Sequence, residues 1–173
     1  QGVGACLKHF AVNNQELGRM YMDAVVDDRT LREIYLRGFE IAIRTAKPWT
    51  VMCAYNRLNG VYCSEHDWLL NTVLREEWGF EGSVMTDWGA ANDRPLGVKA
   101  GLDLEMPGSG GVNDALVVQA VANGDLDEAD LDRAIARNIA LSLSSLNRQK
   151  PATPADPDDQ HRLARKAAAQ SCV

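Results

Sequence analysis

The sequence lacks the cysteine and histidine patterns that bind metals. Its 173 residues include four cysteines and three histidines, and no two cysteines form a Cys-x-x-Cys pair. Structural zinc sites and dithiol redox sites need such pairs, so we expect neither a metal nor another cofactor. Cys53 and Cys63 lie on either side of a turn predicted at Asn59-Gly60. Two interpretations stay open for them: a disulfide, in an oxidising compartment, or two partly buried free thiols.

Basic stretches and long apolar runs are also missing. The formal net charge is −6, from 18 Lys and Arg against 24 Asp and Glu, which argues against a nucleic-acid or anionic-membrane partner. No run approaches the roughly 20 apolar residues of a membrane span, and no signal peptide is visible. The chain starts at Gln1 without an initiator Met. We therefore expect any targeting segment to lie outside it, and the compartment stays open.

What the chain does contain is a regular alternation of apolar runs and helical patterns. Such alternation indicates a parallel sheet, in either a Rossmann-like fold or a (β/α)₈ barrel. No Gly-x-Gly-x-x-Gly follows a run, which argues against a dinucleotide-binding fold. The apolar runs are residues 3–10, 50–55, 82–86 and 102–106, and the helical patterns are residues 30–46, 64–78, 94–99, 112–123 and 128–146.

Several residues mark where the helices are predicted to begin and end. Thr30 and Glu33 form a Thr-x-x-Glu capping box for the first helix, and Lys47 precedes the proline that ends it. Ser64 is expected to cap the second helix, and Gly79 to terminate it.

The length of the chain bears on the number of βα units. Four units take up residues 1–146, whereas a complete (β/α)₈ barrel has eight units and about 250 residues. A barrel is therefore present here only in part. The Pro-rich stretch 149–160 is typical of a linker, and the Ala-rich helical pattern after it predicts the opening of a second domain.

Asp87 and Trp88 follow the third apolar run, at the place where a barrel carries its active-site groups. The pair suits a sugar, because the aromatic face packs on the C–H surface of the ring while the carboxylate attacks the anomeric carbon. An Asp at such a place can also serve only to cap the next helix. From the spacing alone, both interpretations stay open.

Other polar candidates lie at the ends of the first and second runs. Lys8 and His9 can donate hydrogen bonds to sugar hydroxyls, but neighbours in a regular strand point to opposite faces. The alternative for them is a surface Lys and a core His. Tyr55 can donate to the Asp87 carboxylate or simply pack within the barrel.

Further groups near the strand ends are expected to be structural. We expect Glu105 to bond to nearby backbone or to a cation, rather than to act as an acid/base partner. Glu16 and Arg19 are spaced for an i,i+3 ion pair. The Gly-rich segment 107–111 offers a superficial phosphate loop, and a phosphate- or cofactor-binding barrel is a minor alternative, since such loops are common without ligands.

In their order along the chain, these segments resemble the sequence blocks of glycoside hydrolase family 3. The match covers nearly the whole chain, and four blocks in one order make it specific. Thr86 stands where the family usually has Ser before its nucleophile. The blocks are Lys8-His9-Phe10 with Asn13-Asn14-Gln15-Glu16 and Arg19, then Val51 to Asn56, then Leu74-Arg75 through Trp78 to Trp88, and finally Ala100 to Pro107.

The resemblance implies a role for each candidate. It implies that Asp87 is the nucleophile of a retaining, two-step mechanism. An adjacent Lys8 would favour the ionised carboxylate, since an opposite charge lowers a carboxyl pKa. The resemblance also implies two groups of substrate-binding residues. Lys8 and His9 donate hydrogen bonds to the sugar hydroxyls. Met52 and Tyr55 flank the nucleophile, and Trp88 lines the sugar pocket.

The segment after His9 separates two branches of the family. Its β-N-acetylglucosaminidases carry Lys-His-Phe-Pro-Gly-His-Gly, whereas residues 8–14 here are Lys-His-Phe-Ala-Val-Asn-Asn. Without the Pro, the Gly and the second His, the resemblance implies a β-glucosidase acting on β-glucosides or cello-oligosaccharides. β-Xylosidase and exo-β-glucanase activities are the alternatives.

The resemblance also implies the domain organisation of this α/β chain. Residues 1–148 are expected to form the C-terminal half of a TIM-like barrel, 149–160 a linker, and 161–173 the first helix of an α/β sandwich domain. The first half of the barrel and the general-acid Glu then come from other parts of the same enzyme. A different kind of function also stays open, namely a fragment that is inactive until it pairs with those parts.

Overall fold

The computed structural model describes residues 3–148 and 156–172. It is a mixed α/β structure with two open sheets, in the orders β1-β3-β6 and β2-β4-β5. The strands are β1 (Cys6–Phe10), β2 (Asp23–Ala24), β3 (Thr50–Cys53), β4 (Arg57–Leu58), β5 (Val61–Tyr62) and β6 (Ser83–Thr86).

The first sheet is parallel and forms the centre of the molecule. Cys53 of β3 pairs with Phe10 of β1 and with Thr86 of β6. The carboxyl ends of all three strands therefore lie at one edge, as the alternation of apolar runs predicts. Strand β3 is buried along its whole length, because it has a parallel neighbour on each side.

Helical segments connect and flank the strands. None of those in the described residues is long and apolar enough to cross a membrane. They are α1 (Asp28–Thr30), a π-helical stretch (Leu31–Tyr35), α2 (Arg37–Ala46), a short 3-10 helix (Cys63–Glu65), a π-helix (Trp68–Glu77), α3 (Arg94–Lys99), α4 (Val112–Asn123), α5 (Glu128–Asn147) and α6 (Pro157–Ser171).

The core lies between the central sheet and the helices on its face. The π-helix buries Leu69, Leu70, Val73 and Leu74 in the same cluster as Phe10 and the β3 side chains. The Phe10 ring is also 5.0 Å from the Phe39 ring and 5.8 Å from the Trp78 ring, between centroids. This packing fixes the end of β1 just after Lys8 and His9.

Two of the predicted helix caps are wrong. Asp27, not Thr30, caps the first helix, since the Asp27 carboxylate accepts the Thr30 N–H at 3.0 Å. The Ser64 hydroxyl instead donates to the Ala90 carbonyl at 2.8 Å, and the helix after it begins at Trp68. The predicted ends are confirmed: Lys47 and Gly79 both have positive φ, at 47° and 71°.

The fourth apolar run does not form the predicted strand over 102–106. In place of a strand ladder, an isolated parallel bridge between Met85 and Leu104 pairs the run with β6. The reason is that a side chain replaces the backbone partner: the Asp103 carboxylate accepts the Val84 N–H at 2.8 Å. The run still aligns with β6 through the Thr86 N–H, which donates to the Leu104 carbonyl at 3.0 Å.

The predicted helices in the last third of the chain are confirmed, with one change of boundary. Helices α3, α4 and α5 lie where their apolar spacing places them. Helix α6 begins at Pro157, inside the stretch predicted as linker, because the Asp156 carboxylate caps it by accepting the Asp158 N–H. Most of that predicted linker, residues 149–155, lies outside the described residues, and the division into linker and second domain stays a prediction.

Cys53 and Cys63 are fully buried free thiols. The structure therefore favours the second of the two interpretations left open by the sequence, with deeper burial than expected. Burial raises the pKa of the Cys63 thiol to about 12 and raises that of Cys53 well above its ordinary value. Both thiols stay protonated and are shielded from reagents.

We expect iodoacetamide to leave Cys53 and Cys63 unmodified in the native full-length protein at about pH 8, and to alkylate both after urea is added. Peptide mass spectrometry measures the modification, with the exposed Cys172 as the internal control. If neither cysteine reacted in urea until a reductant was added, the two would be joined in a disulfide.

Candidate active site

Asp87 directly follows β6 at the carboxyl edge of the central sheet, and two hydrogen-bond donors and one histidine surround its carboxylate. The Tyr55 hydroxyl donates to Oδ1 at 3.1 Å, and the Trp88 backbone N–H donates to the same oxygen at 2.8 Å. His9 Nε2 lies 3.3 Å from Oδ2. The Asp87 side chain is 15% exposed, so it is sheltered but open to the edge of the sheet.

His9, rather than Lys8, is the group of β1 that contacts Asp87. The pairing of β1 with β3 shifts its register between Leu7 and Phe10, so the strand is irregular where His9 lies. Lys8 is exposed and, in the part of the chain that the structure describes, makes no ion pair with Asp87 within 4.0 Å. His9 is therefore the side chain of β1 that lies against the Asp87 carboxylate.

Tyr55 holds both the candidate nucleophile and the residue after it. Its hydroxyl lies 3.1 Å from Asp87 Oδ1 and 3.0 Å from the Trp88 carbonyl oxygen. Burial first, and then the hydrogen bond to Asp87, raise the pKa of the Tyr55 phenol. The phenol thus keeps its proton over the neutral pH range and remains a donor, which is the role expected of it.

Arg19 is a neighbour of the site that the sequence did not identify as such. The predicted ion pair with Glu16 is confirmed. In addition, the Arg19 guanidinium lies over the Tyr55 ring, 4.6 Å from its centroid, a cation–π contact. The only sequence signal for this placement was the position of Arg19 in the same family block as Lys8 and His9.

Met52 and Trp88 differ in exposure. Met52 is buried in β3, one residue before the strand ends, and pairs with Met85. Trp88 is 54% exposed, and its backbone is fixed at both its N–H and its carbonyl. The indole is therefore an exposed aromatic face on a hydrogen-bonded turn beside Asp87.

Glu105 has the contacts of a structural carboxylate. It accepts from Asn113 Nδ2 at 2.6 Å, and its other oxygen lies 4.0 Å from Arg94 Nε. This agrees with the expected bond to a cation. Within residues 3–148 and 156–172, no cluster of three or more His, Cys, Asp or Glu side chains is arranged to hold a metal ion.

A cavity of about 540 Å³ lies at the opposite end of the strands, at the sheet's amino edge. Trp49, Trp78, Ser83 and Arg137 are among the residues that line it. It contains none of the candidate site residues. The candidate residues instead lie at the open carboxyl edge, where Asp87 and its neighbours form a group exposed on one side.

A parallel β/α sheet that carries a carboxylate, a His, a Tyr and a Trp at its carboxyl edge has the features of a TIM-barrel-type glycosidase domain. The family model described as "Glycosyl hydrolase family 3 N terminal domain" matches residues 1–141. The chain belongs to this family, and the N-terminal domain of the family has a TIM-barrel-type fold.

Curated relatives match over the full length of the chain. It is 56% identical to "Thermostable beta-glucosidase B" of Acetivibrio thermocellus, over 100% of this chain and 23% of that protein. It is 47% identical to "Exo-alpha-(1->6)-L-arabinopyranosidase" of Bifidobacterium breve, again over 100% of this chain and 23% of that protein. The chain thus spans about a quarter of the length of these relatives.

A solved structure is also similar to this chain over most of its length. The beta-glucosidase 3B of Thermotoga neapolitana, in complex with glucose, superposes with a TM-score of 0.87 and 47% sequence identity. The match covers 97% of this chain and 25% of that one.

Proposed function

We propose that the full-length protein is a retaining β-glucosidase that releases terminal, non-reducing β-D-glucosyl residues, with Asp87 as its nucleophile. The observation that carries the proposal is the Asp87 carboxylate, held at the sheet edge by Tyr55 and His9. Similarity to beta-glucosidases at up to 56% identity supports the substrate class. Cello-oligosaccharides also end in a non-reducing β-D-glucosyl residue, and they are substrates in this proposal too.

The two oxygens of Asp87 have different surroundings, and this assigns the attacking atom. Oδ1 accepts two hydrogen bonds, from Tyr55 and from the Trp88 N–H, whereas Oδ2 lies 3.3 Å from His9 and accepts no hydrogen bond from the residues that the structure describes. We assign the attack on the anomeric carbon to Oδ2, since it keeps more lone-pair density. The C1–Oδ2 bond forms as the bond from C1 to the leaving oxygen breaks.

A second carboxyl group completes the reaction. A Glu outside these 173 residues protonates the leaving oxygen and then takes a proton from the water that attacks C1, which frees Asp87. In a retaining enzyme the two carboxyl groups lie about 5–5.5 Å apart. No described residue is assigned this role; Glu105 is engaged by Asn113 and Arg94.

The substrate-binding roles follow from exposure and donor chemistry. Lys8 is exposed beside His9, where its ammonium group can reach a hydroxyl of a bound sugar. The exposed Trp88 ring offers a flat face for the sugar ring. Met52 and Tyr55 flank the nucleophile from β3 and the turn after it.

The domain organisation is part of the proposal. Residues 1–148 form the C-terminal half of the barrel, 149–160 the linker, and 161–173 the start of an α/β sandwich domain. The first half of the barrel and the acid/base Glu belong to other parts of the same enzyme. The proposal is supported by the share of the relatives that the chain spans, 23% for the curated proteins and 25% for the solved structure.

We expect 2-deoxy-2-fluoro-β-D-glucosyl fluoride to label Asp87 in the full-length protein. The fluorine at C2 slows both the formation and the hydrolysis of the glycosyl-enzyme, but the good fluoride leaving group keeps its formation the faster step, so the intermediate accumulates. Intact-mass and peptide mass spectrometry locate the label. A label on Glu105 or another carboxylate would show that the assignment of the nucleophile is wrong.

One relative supports a second substrate, because it is named as an exo-acting L-arabinopyranosidase and is 47% identical. An α-L-arabinopyranoside presents an equatorial leaving group at C1, as a β-D-glucoside does, but has an axial hydroxyl at C4. Comparing kcat/KM for the p-nitrophenyl β-D-glucopyranoside, β-D-xylopyranoside and α-L-arabinopyranoside separates these options. We expect kcat/KM to be highest for the β-D-glucopyranoside.

A further inference from the structure

The Thr86 hydroxyl makes two hydrogen bonds to the backbone of one residue, Met106, in the segment that lies beside β6. Its Oγ1 accepts the Met106 backbone N–H at 2.7 Å and lies 3.2 Å from the Met106 carbonyl oxygen, to which it donates. A hydroxyl has one proton to donate and lone pairs to accept, so this arrangement satisfies it. Thr86 is 0% exposed and Met106 is half-buried, so both bonds are sheltered from solvent.

The Met106 carbonyl also accepts a hydrogen bond from a residue on the far side of Asp87 in the chain. The Gly89 N–H donates to it at 3.2 Å. Thr86 and Gly89 are the residues that flank Asp87 and Trp88 in the chain. The Met106 backbone therefore holds both ends of the four-residue turn that carries the nucleophile and the aromatic side chain.

We propose that Thr86 is a positioning residue for Asp87: its hydroxyl anchors the 86–89 turn to Met106 and so sets the place of the carboxylate relative to His9 and Tyr55. The inference rests on the proposed function of Asp87. Thr86 does not contact the carboxylate itself, and it acts through the backbone of the turn.

Removal of the hydroxyl has a defined consequence. In Thr86→Val the side chain keeps nearly the same volume, but the half-buried Met106 N–H loses its acceptor. A sheltered donor without a partner is costly, so the segment moves to find one, and the turn moves with it. A displacement of about 1 Å at a reacting group costs about a hundredfold in rate.

The test compares Thr86→Val and Thr86→Ser in the full-length protein with a p-nitrophenyl β-glucoside. The number of working sites in each sample is counted by the amount of label taken up from 2-deoxy-2-fluoro-β-D-glucosyl fluoride. We expect Thr86→Val to lower kcat per labelled site by about 10- to 100-fold, with KM changed less than about threefold. Thr86→Ser keeps the hydroxyl and is expected to stay within about threefold of the parent protein in kcat.

A matched control removes a threonine hydroxyl away from the site. Thr45 donates to the Ile41 carbonyl within α2 at 2.6 Å, so Thr45→Val loses one side-chain bond to backbone without touching the turn. It should leave kcat per labelled site unchanged.

Three outcomes separate the possibilities. A fall in kcat per labelled site for Thr86→Val, with Thr86→Ser near the parent, supports positioning. Fewer labelled sites with an unchanged kcat per site would mean that Thr86 only stabilises the fold, and would overturn the inference. If the parent protein takes no label on Asp87, the proposed function fails first, and the positioning role fails with it.

Discussion

Replacement of Asp87 with alanine is expected to lower kcat for a β-glucoside by about four orders of magnitude or more, which is the scale seen when a hydrolase loses its nucleophile. The side chain is the carboxylate that accepts hydrogen bonds from Tyr55 and the Trp88 N–H and lies against His9 at the sheet edge. Without it, no covalent intermediate forms. Steady-state kinetics with an aryl β-glucoside measure the loss, and circular dichroism checks that the variant is folded.

Chemical rescue makes the result specific to a nucleophile. In Asp87→Ala the space of the carboxylate is free, so added azide should attack the anomeric carbon of an activated aryl β-glucoside and yield the α-glucosyl azide. Glu105→Gln is the control, since that side chain contacts Asn113 and Arg94 instead, and we expect it to keep its activity within about tenfold. Full activity in Asp87→Ala, or loss confined to Glu105→Gln, would refute the assignment.

Replacement of Asp103 with alanine is expected to destabilise the sheet region by about 3–5 kcal/mol, the usual cost of removing one partner from a buried ion pair. The Asp103 side chain is 0% exposed and accepts from Arg75 at 2.8 Å, Arg137 at 2.9 Å and the Val84 N–H at 2.8 Å. Burial lowers the pKa of Arg75 and the Asp103 charge opposes that effect. Without Asp103, a buried guanidinium keeps its charge and loses its counterion.

Hydrogen exchange in the full-length protein measures this effect where it acts. In peptides covering Ser83–Thr86, the backbone amides should exchange faster by roughly two to three orders of magnitude. This increase corresponds to that free energy at about 1.4 kcal/mol per tenfold. Asp103→Asn keeps an acceptor for Val84 and should cost less. The control is Glu33→Ala, whose ion pair with Arg29 is exposed and contributes less than about 1 kcal/mol. Equal effects for Asp103→Ala and Glu33→Ala would refute the role of the buried network.

Much of the fold could be predicted, because its signals are local. Apolar runs bounded by polar residues identified β1, β3 and β6, and three- and four-residue spacing identified α3, α4 and α5. Parallel strands end at one edge, and this was enough to expect Asp87, Tyr55 and His9 near each other. The exact caps were less predictable, since Asp27 and Thr30 are both good N-cap residues within one turn of each other.

What could not be predicted depends on contacts between distant segments. Asp103 looked like one more residue of a strand, and nothing near it in the chain shows that its carboxylate replaces a backbone partner of Val84. The choice between Lys8 and His9 turned on an irregularity in the pairing of β1 with β3. The bond from Thr86 to Met106 likewise spans 20 residues, beyond the reach of any periodic pattern.

The parallel arrangement of β1, β3 and β6 also sets the order in which the molecule can assemble. Tyr55 and Asp87 meet across 32 residues of chain, and His9 comes from a still more distant segment, so every side-chain contact to the carboxylate closes a long loop. Loop closure costs entropy that is recovered only when the contacts form, and folds of high contact order form slowly. The local helices can therefore form early, whereas Asp87 gains its side-chain partners only once the last of the three strands is in place.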